Sequence, residues 1–342
     1  KHVRPEDYHI WYCPRCFFTD TQEAFRTAEA RGKKFDLLRD KIIELNMNSA
    51  CALRRIGSEV HYSGDVIPPR SALAAHLLAI HEQELLLPSM RDHEKLGRFY
   101  VRAGWQYCWA TDAMGNLDSQ TLAMLAEFKK AWADLPDSYA RCAARAIEEL
   151  MTSMVSTVDI PDAKREIKML ALISSLHRKL GDSPAALECT KRVFDIARQR
   201  RNTLKRTVES GVTSSATGGS RDKMLSDIEW MSNAITEVKE ARETMLDEIA
   251  AREAPPIESY IAEHGGVPTP EIIDALRQQK FNYHSIRKVV AKYGTELAED
   301  SEFSLDDIAP PTPPDPTQKT PENVDQAESF WRMVVDFAIG KR

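Results

Sequence analysis

The sequence predicts an all-α fold: a tetratricopeptide-like array of helical hairpins with a small N-terminal cysteine knuckle and a disordered, acidic, proline-rich tail. Glycine is scarce, at 14 residues, whereas helix-forming residues are abundant. Apolar residues recur at helical spacing from about residue 20 to 294. Short turn signals such as Pro136-Asp137-Ser138 separate these segments, so neighbouring helices should pack antiparallel.

The composition is that of an ordinary soluble protein. The 342 residues are 42% hydrophobic and 29% charged, with a mean hydropathy of −0.43. No apolar run reaches the roughly 18 residues that a membrane helix needs, and the polar start at Lys1 lacks a signal-peptide pattern. The six cysteines are scattered apart from one pair, which is typical of free thiols in a reducing compartment. We therefore expect a cytoplasmic protein.

The first twenty residues carry the strongest motif, Cys13-Pro14-Arg15-Cys16, after a short aromatic strand. Two thiolates at this spacing can hold one edge of a tetrahedral Zn²⁺, but a structural site needs four ligands. His2 or His9 could contribute, although their spacing is not diagnostic. The favoured interpretation is half of a zinc ribbon whose other cysteine pair lies upstream of Lys1 or has been lost. A redox pair and a metal-free relic are the alternatives.

Residues 21–254 form the predicted helical array, and its clearest hairpin spans 167–200. A Gly181-Asp182 turn separates two helices in which small Ser174 and Ala186 allow close approach. A weaker copy covers 98–134. We predict that Ser174 and Ala186 support a concave surface that binds a protein partner.

The end of this array carries a heptad seam over 221–252, interrupted by Arg242. We predict a long capping helix there, with a coiled-coil or homo-oligomer contact as the alternative. Pro255-Pro256 should end the helix, so that 255–295 forms a small helical satellite.

The last part of the chain is predicted to be a tethered arm. Residues 296–328 are acidic and rich in proline, which is typical of a disordered linker. Residues 329–342 read as an amphipathic helix. Its predicted partner-binding residues are Phe330, Trp331, Val334 and Phe337. We expect this helix to dock onto a partner, with docking onto this protein's own helices as the alternative.

The stretch from Pro5 to Asp20 resembles the bacterial family known as domain of unknown function 2225. The resemblance extends over about residues 5–250 and implies a Cys-Pro-x-Cys zinc-ribbon head at residues 1–20, followed by tetratricopeptide-like helices. The family's first cysteine pair is not in this chain. The family label implies no activity.

No catalytic constellation stands out. The nine histidines form no ligand set, and no glycine-rich loop has a phosphate-binding context. We therefore predict a non-catalytic adaptor that works within a larger protein assembly. The alternative is a nucleic-acid-associated regulator that uses the knuckle, the satellite and the basic stretch 198–206. The net charge of −6 argues against nucleic acid.

Overall fold

A computed structural model describes residues 9–27, 33–62, 67–111, 116–156, 162–210 and 221–297. Within these ranges the chain is almost entirely helical, which confirms the all-α class. Two short antiparallel strands precede the helices, β1 (Ile10–Tyr12) and β2 (Thr19–Thr21), with Ile10 opposite Thr21. The helices are α1 (Gln22–Arg26), α2 (Lys33–Asn46), α3 (Ala52–Gly57), α4 (Pro69–Glu84), α5 (His93–Ala110), α6 (Ser119–Ala131), α7 (Tyr139–Ser156), α8 (Ala163–Lys179), α9 (Ser183–Glu209), α10 (Arg221–Glu263), α11 (Pro270–Gln278) and α12 (Tyr283–Ala291).

Several helix starts coincide with capping residues. The side chains of Asp162, Asp182 and Thr269 accept backbone N–H bonds from Lys164, Ala185 and Ile272. Each side chain thereby satisfies an N–H group that has no partner within its own helix.

One local prediction about the helices was wrong. Helix α10 runs through Pro255 and Pro256 instead of ending before them. The helix continues past the prolines because Ile257 and Ile261 are completely buried in a core that α11 and α12 complete. This apolar burial opposes the cost of the backbone hydrogen bonds that the prolines remove.

The described residues fall into two compact units, one ending at Leu180 and the other beginning at Gly181. This division runs through the turn of the predicted hairpin, so α8 and α9 belong to different units. Ser174 is 8% exposed on α8, and Ala186 is 0% exposed on α9. Such buried side chains offer no surface for direct partner contact. The tetratricopeptide-like repeat and its concave surface remain predictions.

The first unit is built around helix α4, which is buried on nearly all sides against β1, β2, α3 and α5. Helix α5 packs closely on α7. At Gly97 there is no room for a side chain, since a Cβ there would lie 2.8 Å from Leu150 Cγ. Gly104 likewise faces Tyr139 of α7. The close approach at Gly97 and Gly104 is therefore to α7, whereas the weaker repeat predicted over 98–134 contains α5 and α6.

The second unit consists of the long antiparallel pair α9 and α10, followed by α11 and α12. Lys239 of α10 lies over the Phe194 ring of α9, and Leu246 of α10 shares a groove with Leu187 of α9. Because higher numbers on one helix meet lower numbers on the other, the two helices run in opposite directions. The end of α10 extends past the start of α9 and packs with α11 and α12 around Ile257, Leu276 and Ile286. The predicted satellite therefore includes the end of the predicted capping helix.

No helix in the described ranges combines the length and apolar character needed to span a bilayer. The predicted linker and the C-terminal helix with Phe330, Trp331, Val334 and Phe337 lie outside the described residues.

Candidate functional site

The turn between β1 and β2 is a tight knuckle that carries Cys13 and Cys16. Cys13 donates its N–H to the Phe18 carbonyl (2.8 Å), and its carbonyl accepts the Phe17 N–H (2.7 Å). Phe17 has a φ of +64°, a left-handed conformation that is uncommon for a bulky residue. This conformation closes the turn, and the two thiols lie close enough to share a hydrogen bond.

Backbone N–H groups surround the two sulfur atoms. Partial burial acts to raise the pKa of Cys13, but hydrogen bonds from the Cys16 and Arg15 N–H groups and from the Cys16 thiol give a net lowering. Burial raises the pKa of Cys16, opposed by a hydrogen bond from the Phe18 N–H. Backbone N–H groups that stabilise a thiolate favour metal binding by the cysteine, because a metal-bound cysteine is deprotonated.

The knuckle is fastened to the helices of the first unit. Asn46 at the end of α2 donates to the Cys16 carbonyl (2.8 Å). Tyr12 donates to the Val60 carbonyl (2.7 Å), and Tyr62 donates to the Ile10 carbonyl (2.6 Å). These three hydrogen bonds tie the knuckle to the end of α2 and to the segment that follows α3.

As a zinc site, the knuckle offers two of the four ligands that a structural site requires. No group of three or more metal-binding side chains occurs in the described part of the chain. His9 is partly buried, and its titratable neighbours are Arg102, His76 and Arg98. The described residues therefore fit half of a zinc site, and His2 lies outside them.

A polar layer lies beneath the knuckle. Glu82 of α4 is fully buried, and its Oε2 accepts the Thr19 N–H (2.9 Å). Its Oε1 has no hydrogen-bond partner among the described residues, and burial raises the pKa of this carboxyl well above its usual value. Beside it, Lys95 pairs with Asp20 at 2.6 Å. These contacts join β2 to α4 and α5.

Three histidines of this unit are held neutral. Burial lowers the pKa of His76 and of His81 to about 4. Burial, with Arg102 nearby, lowers the pKa of His9 to about 3. His76 Nδ1 lies 2.8 Å from the Ala72 carbonyl, an acceptor, so this nitrogen carries the proton. These three residues are therefore buried, neutral imidazoles of the first unit.

The second unit contains a groove of about 540 Å³. Three segments line it: residues 183–191 of α9, 242–253 of α10, and 280–287 at the start of α12. Buried Leu246 and Ile249 supply apolar surface, together with half-buried Leu187. The groove thus joins an apolar floor to polar walls, which suits a peptide with mixed character.

The walls of the groove are predominantly basic. Their cations are Lys191, Arg242, Arg252, Lys280 and Arg287, against the carboxylates of Glu188, Glu243 and Glu253. Glu253 is already engaged, because its Oε2 accepts the Asn282 N–H (2.9 Å) at the start of α12. In a protein with a net charge of −6, this surface favours acidic ligands.

Farther along the same helix pair, Arg201 occupies a buried position of α9. It is 9% exposed, and its Nε has no hydrogen-bond partner among the described residues. Burial and the neighbouring Arg198 lower the pKa of Arg201, and partial burial together with Arg201 lowers the pKa of Lys239. Arg198 and Arg201 belong to the basic stretch 198–206 identified in the sequence, and Lys239 of α10 lies near both of them.

The structure places Cys13 and Cys16 in the turn between β1 and β2, whereas sequence reasoning missed the groove. The groove joins segments separated by roughly 30 to 100 residues, so no local pattern marks it. One signal was available: Arg242, which interrupts the heptad seam, is one of the groove's cations.

These features define a helical protein with a cysteine-knuckle head and a basic groove. Residues 1–212 match the family model described as "Uncharacterized protein conserved in bacteria (DUF2225)". The chain belongs to this family. No curated protein and no solved structure matches the chain.

Proposed function

We propose that this protein is a non-catalytic, cytoplasmic adaptor whose groove between α9, α10 and α12 binds an acidic, amphipathic segment of a protein partner. The observation that carries the proposal is the groove itself, with Leu246 and Ile249 in its floor and five cations in its walls. Apolar burial would supply affinity, and the cations would select acidic sequences and orient them.

The knuckle has a structural role in this proposal. Cys13 and Cys16 would hold zinc together with ligands that the described residues do not supply, and the metal would cross-link the head of the first unit. The predicted C-terminal helix remains a second, tethered contact to the same assembly.

The proposal is tested by selecting peptides from a displayed random library on the immobilised chain. We expect enrichment of sequences that combine Asp or Glu with large apolar residues. Their affinity, measured by fluorescence anisotropy, should fall at least tenfold in the double variant Arg252→Glu, Lys280→Glu. Lys205→Glu on the exposed side of α9 is the matched control and should bind as the natural chain does. Equal affinity in all three chains would exclude the groove.

A second candidate function follows from the three cations Arg198, Arg201 and Lys239. A nucleic-acid phosphate would neutralise these crowded charges, of which Arg201 is largely buried. A salt-dependent shift with DNA or RNA that disappears in Arg201→Leu would support a nucleic-acid-associated regulator. The overall negative charge makes the adaptor the better-supported candidate.

A further inference from the structure

We propose that the groove is regulated by this chain's own acidic segment, residues 299–308, which occupies it until a partner peptide displaces the segment. The inference rests on the proposed function, because it assigns a competitor to the same groove. The segment lies just beyond the described residues and reads Glu-Asp-Ser-Glu-Phe-Ser-Leu-Asp-Asp-Ile. Its five acids and three large apolar side chains have the chemistry that the groove favours.

Charge complementarity is the first argument. The segment contains no basic residue, whereas the groove walls carry five cations. The neighbouring surface of α10 is acidic and would repel an acidic segment. This holds even though its Asp247 is paired with Lys288 at 2.6 Å and with His284 at 3.2 Å. An acidic segment is therefore better accommodated inside the groove than beside it.

The path of the chain is the second argument. The start of α12 lines the groove, and the chain leaves this helix toward Leu297, which packs on the core formed with Ile286 and Val289. A nine-residue helix is about 14 Å long. Residues 298–302, which include the first three acids of the segment, can span up to about 17 Å along the groove wall, so the rest of the segment from Phe303 onward can reach the start of α12.

The short connection also makes the contact favourable. A segment joined by a few residues has an effective concentration of about 1 mM. If the free groove bound the same sequence with a Kd of about 100 μM, the tethered segment would weaken the binding of an added peptide about tenfold. A partner with additional apolar contacts would still displace it.

The test uses full-length chains and a labelled peptide of residues 298–309. One chain is natural, and the other carries Glu299→Gln, Asp300→Asn, Glu302→Gln, Asp306→Asn and Asp307→Asn. We expect the neutralised chain to bind the peptide about tenfold more tightly. Adding Arg252→Glu and Lys280→Glu to the neutralised chain should abolish that gain, whereas adding Lys205→Glu should preserve it.

Equal, groove-dependent binding to the natural and neutralised chains would overturn the regulatory inference while leaving the groove as a site for acidic peptides. A gain that survives the groove variants would place the segment elsewhere and also overturn the inference. Failure of the peptide to bind either chain would do the same. In that case the peptide-library selection described above would still decide whether the groove binds acidic peptides.

Discussion

The ring of Phe17 lies directly over Gly57 of α3. A Cβ placed on Gly57 would lie 2.2 Å from Cδ1 of that ring, closer than any real contact. Because Phe17 closes the cysteine knuckle in a left-handed conformation, this contact couples the position of both thiols to the first helices of the array.

Replacing Gly57 by alanine should therefore displace Phe17 and loosen the knuckle. We expect a loss of about 1–3 kcal/mol in the free energy of unfolding, the usual cost of overpacking. Denaturant unfolding measures it. In a Phe17→Ala background the same substitution should cost much less, because the clashing ring is absent. An equal cost in both backgrounds would show that the ring is not the constraint.

The knuckle should bind zinc incompletely when only its two cysteines are available. We expect elemental analysis to find less than one zinc per chain, and Cys13→Ser or Cys16→Ser to remove that zinc. Cys189→Ser, at a buried cysteine of the second unit, is the control. One tightly held zinc that survives replacement of both His2 and His9 would contradict this, unless ligands from a partner or an upstream segment were found.

The buried histidines predict that the first unit loses stability in acid. Burial lowers the folded-state pKa of His76 to about 4, against an unfolded value of about 6.5. The unfolded chain therefore binds more protons, so this stability is complete above about pH 6.5 and is lost as the pH falls toward 4. Between pH 7 and pH 5, His76 should account for a loss of about 2 kcal/mol in the free energy of unfolding.

The measurement compares unfolding free energies at the two pH values in His76→Gln, His264→Gln and the natural chain. His76→Gln should lose less stability on acidification than the natural chain, and His264→Gln, at an exposed position, should match the natural chain. Identical losses in all three chains would mean that His76 is not the titrating group.

Arg201 should destabilise the α9–α10 pair. A largely buried guanidinium beside Arg198 and Lys239 carries a desolvation cost that a leucine would not. We expect Arg201→Leu to raise the free energy of unfolding by about 1–2 kcal/mol. Arg206→Leu, at an exposed position of the same helix, should have little effect. A loss of stability in Arg201→Leu would indicate a favourable contact for the guanidinium.

The sequence predicted those features that depend on neighbouring residues. Helix starts at Asp162, Asp182 and Thr269 follow from local capping chemistry, and the knuckle follows from its cysteine spacing. The passage of α10 through Pro255-Pro256 could not be predicted, because it depends on how Ile257 and Ile261 are buried by helices that come later in the chain.

The same limit applies to the candidate site. The groove needs α9, α10 and α12 to meet, and each segment alone looks like an ordinary charged helix face. The burial of Glu82 and His76 likewise depends on the docking of the β1–β2 hairpin and α5 onto α4. Polar residues within an apolar helix were visible in the sequence, but their partners were not.

Zero-length cross-linking tests the central claim, that the groove binds acidic peptides, most directly. A carbodiimide joins a peptide carboxylate to a lysine Nζ only where the two are in contact. With a selected acidic peptide bound to the full-length chain, mass spectrometry should find adducts concentrated at Lys191 and Lys280, which line the groove. The exposed Lys205, Lys223 and Lys292 should remain largely unmodified. Adducts distributed over all five lysines according to exposure would contradict the account.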